Sequence, residues 1–276
     1  MYQIQFHDVS ESRKYICETS SIYFSCILKK EADGVIWGNS EISPTFLLVW
    51  SPYQEGFQLM GQPLHKEEWE EFRIWFDSTI IPFLIDKEIP CFEYGADTNE
   101  LADMFKMIFC ETEILSDTQK IFHWSNTQLK VQASKEYVIQ KVDRELLDAN
   151  YEDMEYITDE LINAYGDIEQ YHKYGIAYVA IQDNKLVARA DMLFSDEGYG
   201  NISVNTKEAF RKKGISSYLV MKTIEDTCKR GLIPIWDCTE DNLPSEKTAL
   251  KCGFHMIRKD VVSWFMLDSY IREKHS

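Results

Sequence analysis

Little in this sequence points to a membrane, a metal or a disulfide framework. No apolar run approaches the roughly 18 residues that a membrane helix needs, and the opening segment, MYQIQFHDVSESRK, lacks the apolar centre of a signal peptide. A cytoplasmic protein without a membrane partner is therefore expected. The seven cysteines are odd in number, form no CxxC pair and sit mostly in apolar settings such as YFSCIL and MIFCET, as reduced thiols do. The six histidines are scattered, without HExxH or HxH spacing, so no metal site is expected. Positive charge is also scarce, with 29 Lys and Arg against 46 Asp and Glu and a formal net charge of −17. That balance argues against a nucleic-acid partner, whose phosphates demand a cationic surface, and favours a cationic one such as an amine.

What is present describes a globular α/β protein. At 276 residues, with 45% hydrophobic and 27% charged residues, the chain has the composition of a folded protein and a length that suits two cores. Domains are expected over residues 1–130 and 131–276, with the polar segment Ser125 to Glu136 as linker. In the first half, Thr45 to Tyr53, Phe57 to Met60 and Pro90 to Tyr94 read as strands, and Ile22 to Leu28 fits either a helix or a strand. His65 to Leu84 has helical spacing that Pro82 should kink or end, and Asp97 with Glu100 has the spacing of a capping box. In the second half, Tyr137 to Val142 is a strand, and helices are expected over Leu146 to Ala164 and Asp167 to Tyr174. Ile176 to Gln182 and Leu186 to Phe194 form a hairpin through Asp183 and Asn184. A helix after Gly214 turns Ile215, Leu219, Ile224 and Cys228 inward and stops at Gly231. Ile233 to Cys238 is a strand, Pro244 to Cys252 a helix and Val261 to Leu267 the last strand.

The stretch Ile202 to Ser216, ISVNTKEAFRKKGIS, stands apart. A β-branched strand runs through a short polar turn into three cations, a glycine and an amphipathic helix. Such a strand-to-helix junction points backbone N–H groups and the positive end of the helix dipole at an anion. Arg211, Lys212 and Lys213 supply countercharge, and Gly214 lets the backbone close around a phosphate.

The halves also echo one another. IPCFEYGAD at Ile89 and IPIWDCTED at Ile233 lie 144 residues apart (233 − 89), and ELADMFKMIF lies over SEKTALKCGF at nearly the same offset. This suggests a duplicated unit. Where the second copy has its basic loop, the first reads MGQPLHKEEW, so the first copy is expected to keep a fold without the anion site.

The order of elements from Glu136 to Leu267 resembles the GNAT superfamily of N-acetyltransferases. Arg211-Lys212-Lys213-Gly214-Ile215-Ser216 resembles its Q/R-x-x-G-x-G/A motif, with Ser216 in place of the last small residue. DNLPSEKTALKCGF resembles its second cofactor motif. The pair IxVxTxxxFRxKGIS and WDCTEDNLPSxxTAxKCGF is similar to a subgroup whose N-terminal half is a degenerate GNAT-like domain. The resemblance implies a mixed-sheet α/β GNAT fold in the C-terminal half and a degenerate GNAT-like α/β domain before it. It implies acetyl-CoA or another acyl-CoA as cofactor, and a small-molecule or peptide amine as acceptor. Backbone of Val204, Asn205 and Thr206 would pair with the pantetheine amides. Arg211, Lys212, Lys213, Gly214, Ile215, Ser216 and Ser217 would surround the pyrophosphate. Asn242 and Ser245 would either meet the pantetheine arm or cap their helix. The tyrosine that many members use as an acid is Ala249 here, which keeps open a non-catalytic acyl-CoA sensor. Asp237, Glu197 and Asp191 are the carboxylates expected near the cleft as candidate bases, and Cys238 is read as a packing thiol.

Overall fold

A computed structural model describes residues 1–125 and 136–274. The first half runs β1 (Tyr2–Gln3), α1 (Val9–Arg13), α2 (Ile22–Leu28), β2 (Val35–Gly38), β3 (Phe46–Ser51), β4 (Gly56–Gly61), α3 (Trp69–Trp75), α4 (Ile81–Asp86), β5 (Cys91–Ala96), α5 (Asn99–Ile108) and β6 (Leu115–Trp124). The second continues with β7 (Val138–Lys141), α6 (Arg144–Leu147), α7 (Glu155–Tyr165), α8 (Ile168–Tyr174), β8 (Ile176–Gln182), β9 (Lys185–Asp196), β10 (Tyr199–Thr206), α9 (Ile215–Lys229), β11 (Ile233–Thr239), α10 (Leu243–Lys251), β12 (Phe254–Met266) and α11 (Leu267–Lys274). The expected mixed α/β architecture is found. No helix among the described residues is long and apolar enough to cross a membrane.

Two compact units form, Met1–Thr118 with Val261–Ser276, and Gln119–Asp260. The chain leaves the first unit within β6 and returns to it within β12. The expected linker, Ser125 to Glu136, and the boundary near residue 130 fall almost wholly on residues 126–135, outside the described residues.

In the first unit, β1 to β4 pair antiparallel in order, β4 pairs parallel with β5, and β5 pairs antiparallel with the C-terminal half of β12. An aromatic core fills one side, with Phe72, Phe76, Phe92, Phe105 and Phe265 all in mutual ring contact or one ring apart. Burying such rings is the main favourable term for this unit. The ambiguous segment Ile22–Leu28 is a helix, α2, that follows Ser21. Pro82 does not end the helical run, because a π-turn over Phe76–Ile80 precedes it. That turn restarts the ladder so that proline falls in the first turn of α4, where its missing N–H is not needed. The cap of α5 is Thr98, whose side chain accepts from Leu101 N–H, rather than Asp97. Asp97 instead turns inward, accepting from Gln58 Nε2 at 2.7 Å and Ser20 Oγ at 2.5 Å.

The second unit is a mixed sheet in the order β6, β11, β10, β9, β8, β7, with β10 and β11 parallel and the other neighbours antiparallel. The expected hairpin is present, and Asp183 and Asn184 both take positive φ (51° and 64°), as a two-residue turn requires. Helix α9 packs Ile215, Leu219, Val220 and Ile224 on Ala188, Ala190, Met192, Ile202 and Trp236. Cys228, expected inward, is exposed; Thr227 takes the inward place because the buried stripe steps through Leu219, Thr223 and Thr227 at four-residue spacing. The helix expected over Leu146 to Ala164 is two, α6 and α7, since Asp153 takes φ +63° between them and a left-handed residue cannot continue a helix. The final strand is longer than expected, and α11 follows it without a signal that its polar sequence made legible.

On the opposite face of this sheet, α7 is anchored by charge. Arg189 on β9 donates from Nη2 to Glu160 Oε1 on α7 at 2.6 Å and from Nη1 to Asp191 Oδ2. Asp191 is 1% exposed. Burial pushes its carboxyl up to about 7, with Arg189 opposing and Glu160 adding to the rise. Tyr171 of α8 and Tyr156 of α7 also face it, while its strand neighbours Ala177 and Ser203 carry no charge. The folded chain thus keeps a proton that the unfolded chain releases near pH ~4. This group therefore lowers stability as pH rises from about 4 to about 7. Relative to wild type, Asp191→Asn is expected to gain in melting temperature between about pH 4 and about pH 7, since Asp153 and Asp226 titrate alike in both proteins. A difference that stays flat over that range would show an ordinary carboxylate at this position.

Candidate functional site

The basic loop is built by the backbone. After β10, one tight turn over Glu208–Phe210 leads to Arg211, and Lys212 and Gly214 take φ of +62° and +82° before α9 begins. A Cβ on Gly214 would meet nothing within 4 Å, so backbone conformation rather than space requires glycine here. The N-cap of α9 provides no side-chain hydrogen bond, so the N–H groups of Ile215, Ser216 and Ser217 keep no capping partner from it. Arg211, Lys212 and Lys213 are exposed around this end.

Two contacts hold the loop in shape. Arg211 Nε donates to the Thr206 carbonyl at 2.9 Å, and the hydroxyls of Thr206 and Ser216 lie 2.9 Å apart. The last residue of β10 is thereby tied both to the loop and to the first turn of α9. Lys213 lies with its ammonium 5.4 Å from the Phe210 ring centroid. Ser217 is buried, its hydroxyl against the Cys252 thiol, so only its backbone remains for a ligand at this end.

Beside the loop the sheet opens. β10 and β11 pair only through Tyr199–Ile233, Gly200–Pro234 and Asn201–Ile235. Beyond those pairs, β10 stays with β9 as far as Thr206 and β11 stays with β6 as far as Thr239. A register shift between Asn201 and Ile202 marks the same point. The edge of Val204 to Thr206 that faces away from β9 is therefore not spent on β11. Asn201 Nδ2 donates to Asp237 Oδ1 at 2.7 Å across this opening, and Gln119 Nε2 of β6 donates to Asp237 Oδ2. Asp237 is half-buried and stands two residues past the last parallel pair.

The expected cofactor residues thus gather at one end of the second unit. Val204, Asn205 and Thr206 lie on the free edge, and Arg211 to Ser217 lie in the loop and first helical turn. Asn242 and Ser245 lie beyond the end of β11. There Asn242 Oδ1 accepts from Ser245 N–H at 3.2 Å as the cap of α10, and Ser245 Oγ accepts from Trp236 Nε1 at 3.0 Å. Ala249 and Cys238 are buried in the core. Of the candidate bases, Asp237 stands at the opening, Asp191 is buried beneath α7, and Glu197 is exposed in the turn before β10, at the paired end of the strand. Asn201 and Gln119 were not marked by sequence reasoning; a polar amide preceding a β-branched run was the signal available for Asn201.

Comparison with protein families matches residues 14–261 to the GNAT acetyltransferase family. An uncharacterised N-acetyltransferase of Bacillus subtilis (strain 168), YdfB, is 21% identical over 127 residues, 46% of this chain and 48% of that protein. The chain therefore spans about half the length of that relative. A GCN5-related N-acetyltransferase-like protein from Streptococcus suis superposes with a TM-score of 0.65 at 19% identity, covering 93% of this chain and 98% of its own. A tandem GNAT protein from the clavulanic acid biosynthesis pathway superposes with a TM-score of 0.53 at 9% identity, over 93% and 86% of the two chains. Both structures share the fold over most of the length. With a family match that runs through both units and a basic strand-to-helix loop beside a split parallel pair, the chain belongs to the GNAT acetyltransferase family.

Proposed function

We propose that this protein transfers an acetyl or other acyl group from acetyl-CoA or another acyl-CoA to a primary amine of a small molecule or a peptide. The observation that carries this reading is the early end of β10–β11 pairing next to the uncapped, cation-ringed start of α9. An extended arm can add to the free edge of β10 as a strand would, through the backbone of Val204, Asn205 and Thr206. A pyrophosphate fits the N–H groups of Lys213 to Ser217, with Lys212 and Lys213 as countercharge. Arg211 gives its Nε to Thr206, so it holds the loop while its remaining N–H groups add charge. Bound there, an acyl-CoA supplies an activated acyl thioester.

Asp237 is the group placed to take a proton from the attacking amine. Its two oxygens accept from neutral amides, which fix its direction. A backbone N–H on the free edge of β10 would stabilise negative charge developing on the acyl oxygen. Ala249 cannot protonate a leaving thiolate, so water serves in that role. The same absence supports a second reading, a non-catalytic acyl-CoA-binding protein, which keeps the loop and loses the chemistry.

Acetyl-CoA is expected to raise the melting temperature of the protein, by an amount equivalent to about 2.7 kcal/mol at a hundredfold excess over Kd. The paired change Lys212→Glu with Lys213→Glu should abolish that shift while leaving the unliganded melt in place, because both side chains are exposed. A full shift in the paired variant would move the cofactor elsewhere. Asp237→Asn is expected to keep the acetyl-CoA shift and lower kcat by about 100-fold or more in a thiol-release assay over an amine panel. Wild-type turnover in that variant would remove Asp237 from the chemistry. A shift with acetyl-CoA but no thiol release from any amine would favour the non-catalytic reading.

A further inference from the structure

The face of the second unit's sheet that carries α7 and α8 holds a charged cluster that the cofactor loop does not use. Tyr156 and Glu160 lie one turn apart on α7, hence on one face. Arg189 joins them to β9, since its guanidinium carbon lies 5.8 Å from the Tyr156 ring centroid and its nitrogens bond Glu160 and Asp191. Lys207 lies 4.9 Å from the same ring, but its ammonium is bonded to Asp153. Two carboxylates thus share one guanidinium. Asp191 Oδ1 and the Tyr156 hydroxyl are both buried, and among the described residues no hydrogen-bond partner reaches either atom. A buried cluster in which two carboxyl groups draw on one guanidinium and two polar atoms lack a partner is costly unless a donor completes it.

The place of this cluster says which donor. Asp191 pairs in register with Ser203 on β10, and two residues earlier on β10 Asn201 holds Asp237. Carboxyl groups therefore flank β10 on either side, near the point where β11 parts from it. Their strands are two spacings apart, about 10 Å or somewhat more where the sheet opens. One carboxylate would serve a single reacting amine. Two, on opposite sides of the strand that would present the acyl group, suit an acceptor with two nitrogens.

We propose that Asp191, Glu160 and Tyr156 form a second cation subsite that takes the distal ammonium of a diamine or polyamine while its other amine stands at Asp237. The inference rests on the acyltransferase reading of the β10–β11 opening. An ammonium matches the cluster in charge, in donor number and in its affinity for a tyrosine ring. When Asp191 enters the cluster protonated, the incoming ammonium displaces that proton to solvent, so charge balances at each stage.

The test measures binding and turnover separately on the full chain. Butylamine, putrescine and spermidine are titrated by calorimetry in the presence of CoA, and thiol release from acetyl-CoA is followed with the same amines. Putrescine or spermidine is expected to bind at least about tenfold more tightly than butylamine, the ratio that one charge-assisted hydrogen bond supplies. Asp191→Asn and Glu160→Gln should each erase that ratio while the thermal shift with CoA is retained. Glu160 is a quarter exposed on a helix, so its variant keeps the test valid if the Asp191 variant does not fold. Equal affinity for the three amines, the result expected if ordered water alone fills the cluster, would overturn the proposal, as would a ratio that survives in both variants. A ratio that the variants erase without any thiol release upholds the subsite and defeats the transferase reading. Thiol release without a ratio does the reverse.

Discussion

Everything that distinguishes the second unit follows from where two parallel strands stop pairing. Hydrogen bonds between β10 and β11 end after three residues, and each strand is then held only by its outer neighbour. A sheet edge in the middle of a sheet is normally a fault, since it leaves backbone groups unsatisfied. Here the fault is stabilised on both sides. β9 pairs with β10 as far as Thr206, the paired hydroxyls of Thr206 and Ser216 tie its end to α9, and Asn201 bridges the opening to Asp237. Each wall of the opening is thus held by its own outer neighbour.

The first unit shows what the same scaffold does without the opening. There β4 and β5 stay paired through Leu59 and Ala96, and Asp97 N–H extends the ladder to the Leu59 carbonyl. Gln58 and Ser20 reach the Asp97 carboxyl from neighbouring segments, and a Cβ at Gly95 would strike the Gln58 side chain. Burial raises the Asp97 carboxyl pKa against the pull of those hydrogen bonds. The strand ends that diverge in one unit are sewn together in the other. The 144-residue echo survives as an equal interval between α5 and α10, which start at Asn99 and Leu243.

How much of this the sequence disclosed depends on how local each cause is. The basic loop was legible because Arg211, Lys212, Lys213 and Gly214 are adjacent, and the hairpin at Asp183 and Asn184 because turn chemistry is a matter of two residues. The strand and helix order was legible for the same reason. The break between α6 and α7 was not, since it turns on a single left-handed aspartate in a helix-like stretch. Thr98 displaced Asp97 as a cap because Asp97 found partners far away in sequence, at Gln58 and Ser20. The Asn201, Asp237 and Gln119 chain and the Arg189 cluster were invisible for that reason as well. Asn201, Gln119 and Glu160 each meet a partner more than 25 positions away, and no periodicity records such a meeting. Sequence reasoning identified Asp191 and Asp237 as acids near a cleft, and only the register separates one at the opening from one beneath a helix.

The double crossing of the chain between its two units has an effect on the order in which the protein can be made. The first unit takes the C-terminal half of β12 as its last strand, and Phe265 and Tyr270 enter its aromatic core. During synthesis, residues up to Thr118 emerge early, yet their sheet lacks a neighbour for β5 until Val261 onward has been translated. The second unit meets no such delay, because Gln119 to Asp260 is continuous. The unit that begins first therefore finishes last, and β5 must remain an open edge for the whole time its partner unit is being built.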